Sequence, residues 1–173
     1  MAIRNILTGD EPTLQKKSRA VTEFNNRLHI LLDDMHQTLE AANGLGLAAP
    51  QVGVLRRVAL IVEVIDGDGE EDFEENVIEL INPKIISQEG IQEGLEGCLS
   101  VPGAYGTVCR PKSVTVRAQD RFGDTFEIQC SGMTARAACH EIDHLNGVLF
   151  TILTDHILTE EELDQLGKSD PEN

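Results

Sequence analysis

Tryptophan is absent from the chain, and aromatic residues make up only 3% of it. The hydrophobic share is 40%, so a core can form, but Ile, Leu, Val and Ala must build it. No stretch approaches the ~20 consecutive apolar residues of a membrane-spanning helix. The opening run Met1-Ala2-Ile3-Arg4-Asn5 has neither the apolar centre nor the small-residue cleavage site of a secretory signal, which points to the cytoplasm. Cations are scarce: 14 Lys and Arg face 30 Asp and Glu, a formal charge of −16. That balance argues against extended contact with nucleic-acid phosphates and against docking on anionic membranes. The four cysteines, Cys98, Cys109, Cys130 and Cys139, form no CxxC pair. They should be reduced, and most should be buried as small hydrophobes.

The 173 residues read as one domain, 1–173, whose residues 156–173 form an acidic tail or short helix. A monomer is expected. The acid is concentrated in two places, Asp66, Asp68, Glu70, Glu71, Asp72, Glu74 and Glu75, and then Glu160, Glu161, Glu162 and Asp164. These read as a solvated loop and a solvated helix face.

Residues 23–41 read as an amphipathic helix, because Leu28, Leu31, Leu32, Met35 and Leu39 recur at helical spacing and Asn43-Gly44 supplies the stop. Residues 58–65 and 77–81 read as buried strands, the second ending at Asn82-Pro83. Residues 113–119 and 125–130 alternate around Phe122-Gly123-Asp124 as a hairpin does. A helix is expected over 133–146, ended by Gly147, and Thr159 with Glu162 marks the start of a last short helix. Strands dominate the middle and helices flank them, which makes the chain α+β.

The strongest chemical signal is His140-Glu141-Ile142-Asp143-His144. Residues four apart share a helix face, so both imidazoles can reach one metal ion, with Glu141 placed to take a proton from water. The bland alternative is a helix that carries HExxH by chance. A catalytic metal usually takes a third protein ligand. Downstream, His156 and the acidic tail stand at no convincing spacing. Upstream, Glu96-Gly97-Cys98-Leu99-Ser100 offers a soft thiolate, although Cys98 taken alone would more often be a buried thiol. The third segment, Gly44-Leu45-Gly46-Leu47-Ala48-Ala49-Pro50-Gln51, lets the backbone approach a ligand closely. By itself it reads better as a helix cap and turn, with Gln51 as its single polar donor.

Together and in order, GLGLAAPQ, EGCLS and HEIDH closely resemble the three signature motifs of the peptide deformylase family. The resemblance extends through Ile3 to Leu7, Ile81-Asn82-Pro83, Ser100-Val101-Pro102 and His144-Leu145-Asn146-Gly147, and covers the chain to about residue 155. It is closest to the bacterial type with a short C-terminal segment. Two departures are visible. Cys139 stands where many members have Gln, and the acidic run from Asp66 to Glu75 is long for the family.

The resemblance implies mostly antiparallel sheets packed around a central metal-binding helix, with one helix before and a short one after. It implies that Cys98, His140 and His144 bind one divalent metal, Fe²⁺ in the cell, with Zn²⁺, Ni²⁺ or Co²⁺ able to replace it. It implies Glu141 as general base, with the Leu99 backbone N–H and the Gln51 amide as oxyanion donors. The Gly44-Leu45-Gly46 backbone would pair with the substrate, the formyl-Met N-terminus of a nascent polypeptide met transiently near the ribosome. Three other classes stay open on the residues alone. One is an HExxH metallopeptidase. Another is a thiol hydrolase with Cys98 as nucleophile and His140 as base. The last is a non-catalytic binding module.

Overall fold

The computed structural model describes residues 2–64 and 76–168. Among these, three α-helices, α1 (Asn26–Ala42), α2 (Gly132–Leu145) and α3 (Glu160–Lys168), accompany seven strands. The strands are β1 (Gly46–Ala48), β2 (Val58–Glu63), β3 (Asn76–Glu89), β4 (Gln92–Cys98), β5 (Val101–Arg110), β6 (Ser113–Gln119) and β7 (Thr125–Ser131). Five of them form a sheet in the order β1-β2-β3-β6-β7, and β4 and β5 form a separate hairpin. Every pairing is antiparallel. The architecture is α+β.

The sheet is covered on both faces, and the apolar run of β2 is the cause. Val58, Leu60 and Val62 turn to one face and meet Leu28, Leu31, Leu32, Met35 and Leu39 of α1. Ala59 and Ile61 turn to the other and meet Ala135, Ala138, Ile142 and Leu145 of α2. The two-residue period of a strand makes this division unavoidable. Alanines crowd the α2 side (Ala48, Ala59 and Ala118 against Ala135 and Ala138), so the helix lies close to the sheet.

Helix α1 begins where the Asn25 side chain accepts from the Arg27 and Leu28 N–H groups, at 3.0 and 3.4 Å. It ends at Asn43, which takes the left-handed conformation (φ 49°) that Asn tolerates. At α3 the expected reciprocal cap is present. Thr159 Oγ1 accepts from Glu162 N–H at 3.2 Å, and Glu162 accepts from Thr159 N–H at 2.7 Å.

Two expectations need correction. The strand expected to stop at Asn82-Pro83 continues to Glu89. At that point Asn82 adopts φ 51° and the pairing with β6 shifts register between Ile81 and Lys84, so Pro83 sits in a bulge that needs no ladder donor. The Asn82 side chain fastens the bulge by accepting from Val21 N–H (2.8 Å) and donating to Val21 O (2.9 Å) and Gln119 Oε1 (2.7 Å). The glycine-rich stretch after α1 is also more than a cap and turn. It contains β1 and a 3₁₀ turn over Ala49–Val52. The strand expected over 58–65 is regular to Glu63, and the acidic run Asp66 to Glu75 lies outside the described residues. No helix among the described residues is long and apolar enough to cross a membrane.

Glu79 of β3 ties α1 to the β6–β7 turn. Its carboxylate accepts from His36 Nε2 at 2.9 Å and from Arg121 Nε at 3.0 Å, and Arg121 Nη2 contacts it as well. Burial alone would raise its pKa, but the His36 and Arg121 contacts outweigh burial and hold it at about 2. A depressed pKa contributes stability above the unfolded carboxylate value and loses it as pH falls through the folded value. Glu79→Gln should therefore cost on the order of 1–3 kcal/mol at pH 7. In urea-unfolding midpoints, the gap to the parent should narrow as pH falls from the unfolded value of 4.5 toward about 2. A gap independent of pH would show that the ion pair is not its source.

Candidate metal centre and its cleft

Helix α2 is held between the sheet and the β4–β5 hairpin, and the hairpin brings its end over the helix. Near that end the register slips between Gly97 and Cys98, so Cys98 pairs with Val101 while Gly97 pairs with Tyr105. The slip sets the Cys98 thiol over the helix face that carries His140 and His144. Cys98 Sγ lies 3.3 Å from His144 Nε2, and His144 Nε2 lies 3.2 Å from His140 Nε2. All three donor atoms fall within 4.8 Å of one another.

These separations fit a metal ion. Bonds of about 2.0–2.3 Å set neighbouring tetrahedral donors roughly 3.3–3.5 Å apart. Two imidazoles and a thiolate make a borderline-soft set suited to a first-row transition ion. The set supplies three ligands, the number expected of a catalytic rather than a structural site.

Glu141, between the two histidines in sequence, is 4% exposed, and its Oε2 has no hydrogen-bond partner among the described residues. Burial pushes its pKa up to about 7. The carboxylate occupies space that only glycine leaves free. A Cβ at Gly46 would stand 2.7 Å from Glu141 Cγ and 2.8 Å from its Cδ.

Behind His140 lies a network that the motif reading missed. Glu96, 5% exposed, accepts from His140 Nδ1 at 3.0 Å. It also accepts from Arg110 Nε and Nη2 at 2.8 and 3.0 Å and from Arg136 Nη1 at 2.9 Å. Arg110 reaches on to Asp143 at 2.6 Å. Burial works against ionisation of Glu96, but bonds from His140 and Arg110 prevail and hold its pKa at about 2. The two histidines divide accordingly. Burial opposes charge on His140, yet its contacts with Cys98 and Glu96 push it up to about 10. Burial and the neighbouring His140 push His144 down to about 3.

A cleft of about 550 Å³ opens onto this cluster. Gly44, Leu45, Gly46, Gln51, Cys98, Leu99, His140 and Glu141 all line it, and His144 lies buried beneath. Strand β1 is an edge of the sheet, so one side of its backbone has no partner strand among the described residues. Gln51 is fixed by its own bonds. Its Oε1 accepts from Ala48 N–H at 2.8 Å, and its Nε2 donates to Ser100 Oγ at 3.1 Å and stands 3.7 Å from Cys98 Sγ.

The family profile described as "Polypeptide deformylase" matches residues 3–160. The chain belongs to the polypeptide deformylase family. A peptide deformylase of Caldicellulosiruptor bescii is 50% identical over 165 residues, covering 95% of this chain and 93% of the relative. One of Alkaliphilus metalliredigens is 54% identical over 151 residues, covering 87% and 96%. The crystal structure of a peptide deformylase from Legionella pneumophila superposes with a TM-score of 0.80 at 42% identity, covering 98% of this chain and all (100%) of that one.

Against that family background, the departure at Cys139 falls outside the deformylase cleft. Cys139 packs in the core between α2 and the sheet, where burial pushes its thiol up to about 11. Most of the cysteines are expected to be buried, but only half are, Cys130 and Cys139. Cys98 is half-buried and Cys109 is exposed. A signal for Glu96 was present in the sequence. It stands two residues before Cys98, and positions two apart on a strand share a face.

Glu96→Gln keeps the shape but removes the charge that holds His140 and both arginines. Loss of such a supporting partner should lower metal affinity roughly 10–100-fold in competition with a chelator. Asp143→Asn, which touches Arg110 alone in this network, should cost less. Equal affinities for parent and Glu96→Gln would remove Glu96 from that role.

Proposed function

We propose that the chain hydrolyses the N-formyl group of the methionine that begins new polypeptides, releasing formate and a free amino terminus. The observation that carries this reading is the convergence of Cys98, His140 and His144 beside the buried, unpartnered Glu141 oxygen. A divalent cation held by Cys98 Sγ and the two imidazole Nε2 atoms would supply Lewis acidity, lowering the pKa of water toward about 7 and polarising the formyl oxygen.

Glu141 takes the proton of the attacking water at Oε2 and passes it to the leaving amine. A carboxylate with a pKa near 7 can do both at neutral pH. As the formyl carbon becomes tetrahedral, its oxygen gains negative charge. The Gln51 amide and the Leu99 backbone N–H meet that charge, and the Ala48 and Ser100 contacts set the Gln51 amide in advance, which keeps reorganisation small. The backbone Gly44-Leu45-Gly46, which leads into the edge strand β1, receives the extended substrate by backbone pairing. We assign Fe²⁺ as the ion in the cell, from the family, with Zn²⁺, Ni²⁺ and Co²⁺ accepted by the same donors. The chain acts as a cytoplasmic monomer near the ribosome, where formylated N-termini emerge.

The deciding assay compares formyl-Met-Ala-Ser with unblocked Met-Ala-Ser, with and without chelator. Formate release from the first alone, abolished by chelator and restored by added metal, is expected. Cleavage of the unblocked peptide would favour a metallopeptidase, and activity that survives chelation would favour a Cys98 thiol mechanism.

Glu141→Ala should keep stoichiometric metal and lose more than the ~10²–10⁴ of proton transfer, because the water loses its orientation too. A metal-free or nearly active variant would end that assignment. Gln51→Leu should lower kcat by roughly 10²–10³ with a far smaller change in KM, since the donor acts mainly on the transition state. A change confined to KM would make Gln51 a ground-state binding residue.

A further inference from the structure

The scarce cations are not spread evenly. Residues 12–22 and 41–62 contain no Asp or Glu, yet they hold Lys16, Lys17, Arg19, Arg56 and Arg57. The fold joins the two segments. Arg19 N–H donates to Leu55 O at 3.2 Å, Arg57 N–H donates to Arg19 O at 2.9 Å, and Arg19 and Arg56 form a parallel bridge. Arg57 Nη2 reaches Pro83 O at 3.4 Å, which brings Lys84 to the same area. Lys16, Lys17, Arg19, Arg56 and Lys84 are all exposed. Ion pairs among the described residues engage Arg4, Arg110, Arg117, Arg121 and Arg136, and none of these five. Glu11 and Glu23 bound the first segment in sequence.

This basic face sits at one pole of the molecule. Ser18 N–H donates to Leu145 O at 2.9 Å, and Arg57 Nη1 reaches Leu145 O at 3.3 Å, so the face covers the C-terminal end of α2. The opposite pole lies at the N-terminal end of α2. Strand β2 leads away from Arg57 for six residues, about 20 Å. Val64, just beyond it, is bonded to Thr134 in the first turn of α2. Helix α2, with 14 residues, spans about 21 Å between the two poles. Its cleft-lining residues, Met133, Arg136, Ala137, His140 and Glu141, lie on the side of His144 away from the basic face.

We propose that this basic face docks on the phosphate backbone of RNA. Five exposed cations with no ion pair among the described residues offer phosphates a local positive patch on a chain whose net charge is strongly negative. None of the large exposed hydrophobic side chains lies in residues 12–22 or 53–57. Apart from Ile86, 37% exposed and two residues beyond Lys84, the face lacks the apolar anchors that membrane insertion or a protein hot spot requires. Docking there leaves the cleft open to a peptide. The net charge still forbids an extended RNA interface, and this contact is a local one.

The test is fluorescence anisotropy of the full chain with a labelled 16-base-pair RNA duplex at 50 and 200 mM salt. About five phosphate contacts predict binding at 50 mM that weakens by roughly 10²–10³-fold at 200 mM. The triple variant Lys16→Glu, Lys17→Glu, Arg56→Glu should abolish binding, and the milder Lys16→Gln, Lys17→Gln should weaken it with unchanged thermal stability. Lys112→Glu is the control. Lys112 is exposed at the α2 N-terminal pole, where its carbonyl accepts from Gly132 N–H at 2.9 Å, and its reversal should leave binding intact. Formate release from formyl-Met-Ala-Ser should be the same for all four proteins. Absence of RNA binding by the parent at 50 mM salt overturns the proposal, as does a triple variant that binds equally or a Lys112→Glu variant that loses as much. Co-sedimentation with phosphatidylglycerol vesicles in place of RNA binding overturns it in favour of a membrane.

Discussion

One buried carboxylate holds three parts of this molecule in register. Glu96 on β4 accepts from Arg110 on β5, from Arg136 on α2 and from the imidazole of His140. A charge so deeply buried is tolerable only when fully paired, and removing a single partner leaves the others uncompensated. The pairing therefore fixes how the hairpin lies on the helix. That placement decides whether the Cys98 thiol and the two imidazoles meet at one point. The donor geometry is a consequence of an ionic clamp on its outer side more than of the donors themselves.

The apolar half of the structure works on the same helix from the other direction. Alternation along β2 sends Leu60 toward α1 and Ile61 toward α2, and both are fully buried. Alanines at 135 and 138 let α2 settle close to the sheet, and glycine at 46 leaves room for the Glu141 carboxylate. Small residues thus set the depth of the helix, while the Glu96 clamp sets the hairpin above it.

The parts of the fold that repeat a period were legible in the sequence. The α1 leucines, the unbroken run of β2, the hairpin around Gly123 and the HExxH helix each repeat a local pattern. The converging donors were legible too, because His140 and His144 share a helix face by spacing alone. What escaped depends on long-range pairing. The continuation of β3 past Pro83 requires the Asn82 side chain to bond Val21, sixty-one residues away. The β4–β5 hairpin is rich in glycine and charge, and its burial comes from α2 and not from its own pattern. Glu96 shares a strand face with Cys98, but its burial depends on Arg110 and Arg136, fourteen and forty residues away.

The distribution of the four thiols gives the chain a built-in gauge. Cys130 and Cys139 lie in the core with pKa values pushed to about 11, so they stay protonated and shielded from alkylating reagents near neutrality. Cys109 stands open on the surface of β5, and Cys98 stands at the floor of the cleft. A single alkylation therefore reads two positions in one molecule. Cys109 records how much reagent was delivered, and Cys98 records how much of the cleft was open to receive it. Their ratio, taken from one peptide map, follows how far an occupant of the cleft or an ion on the thiol shields Cys98, without turnover.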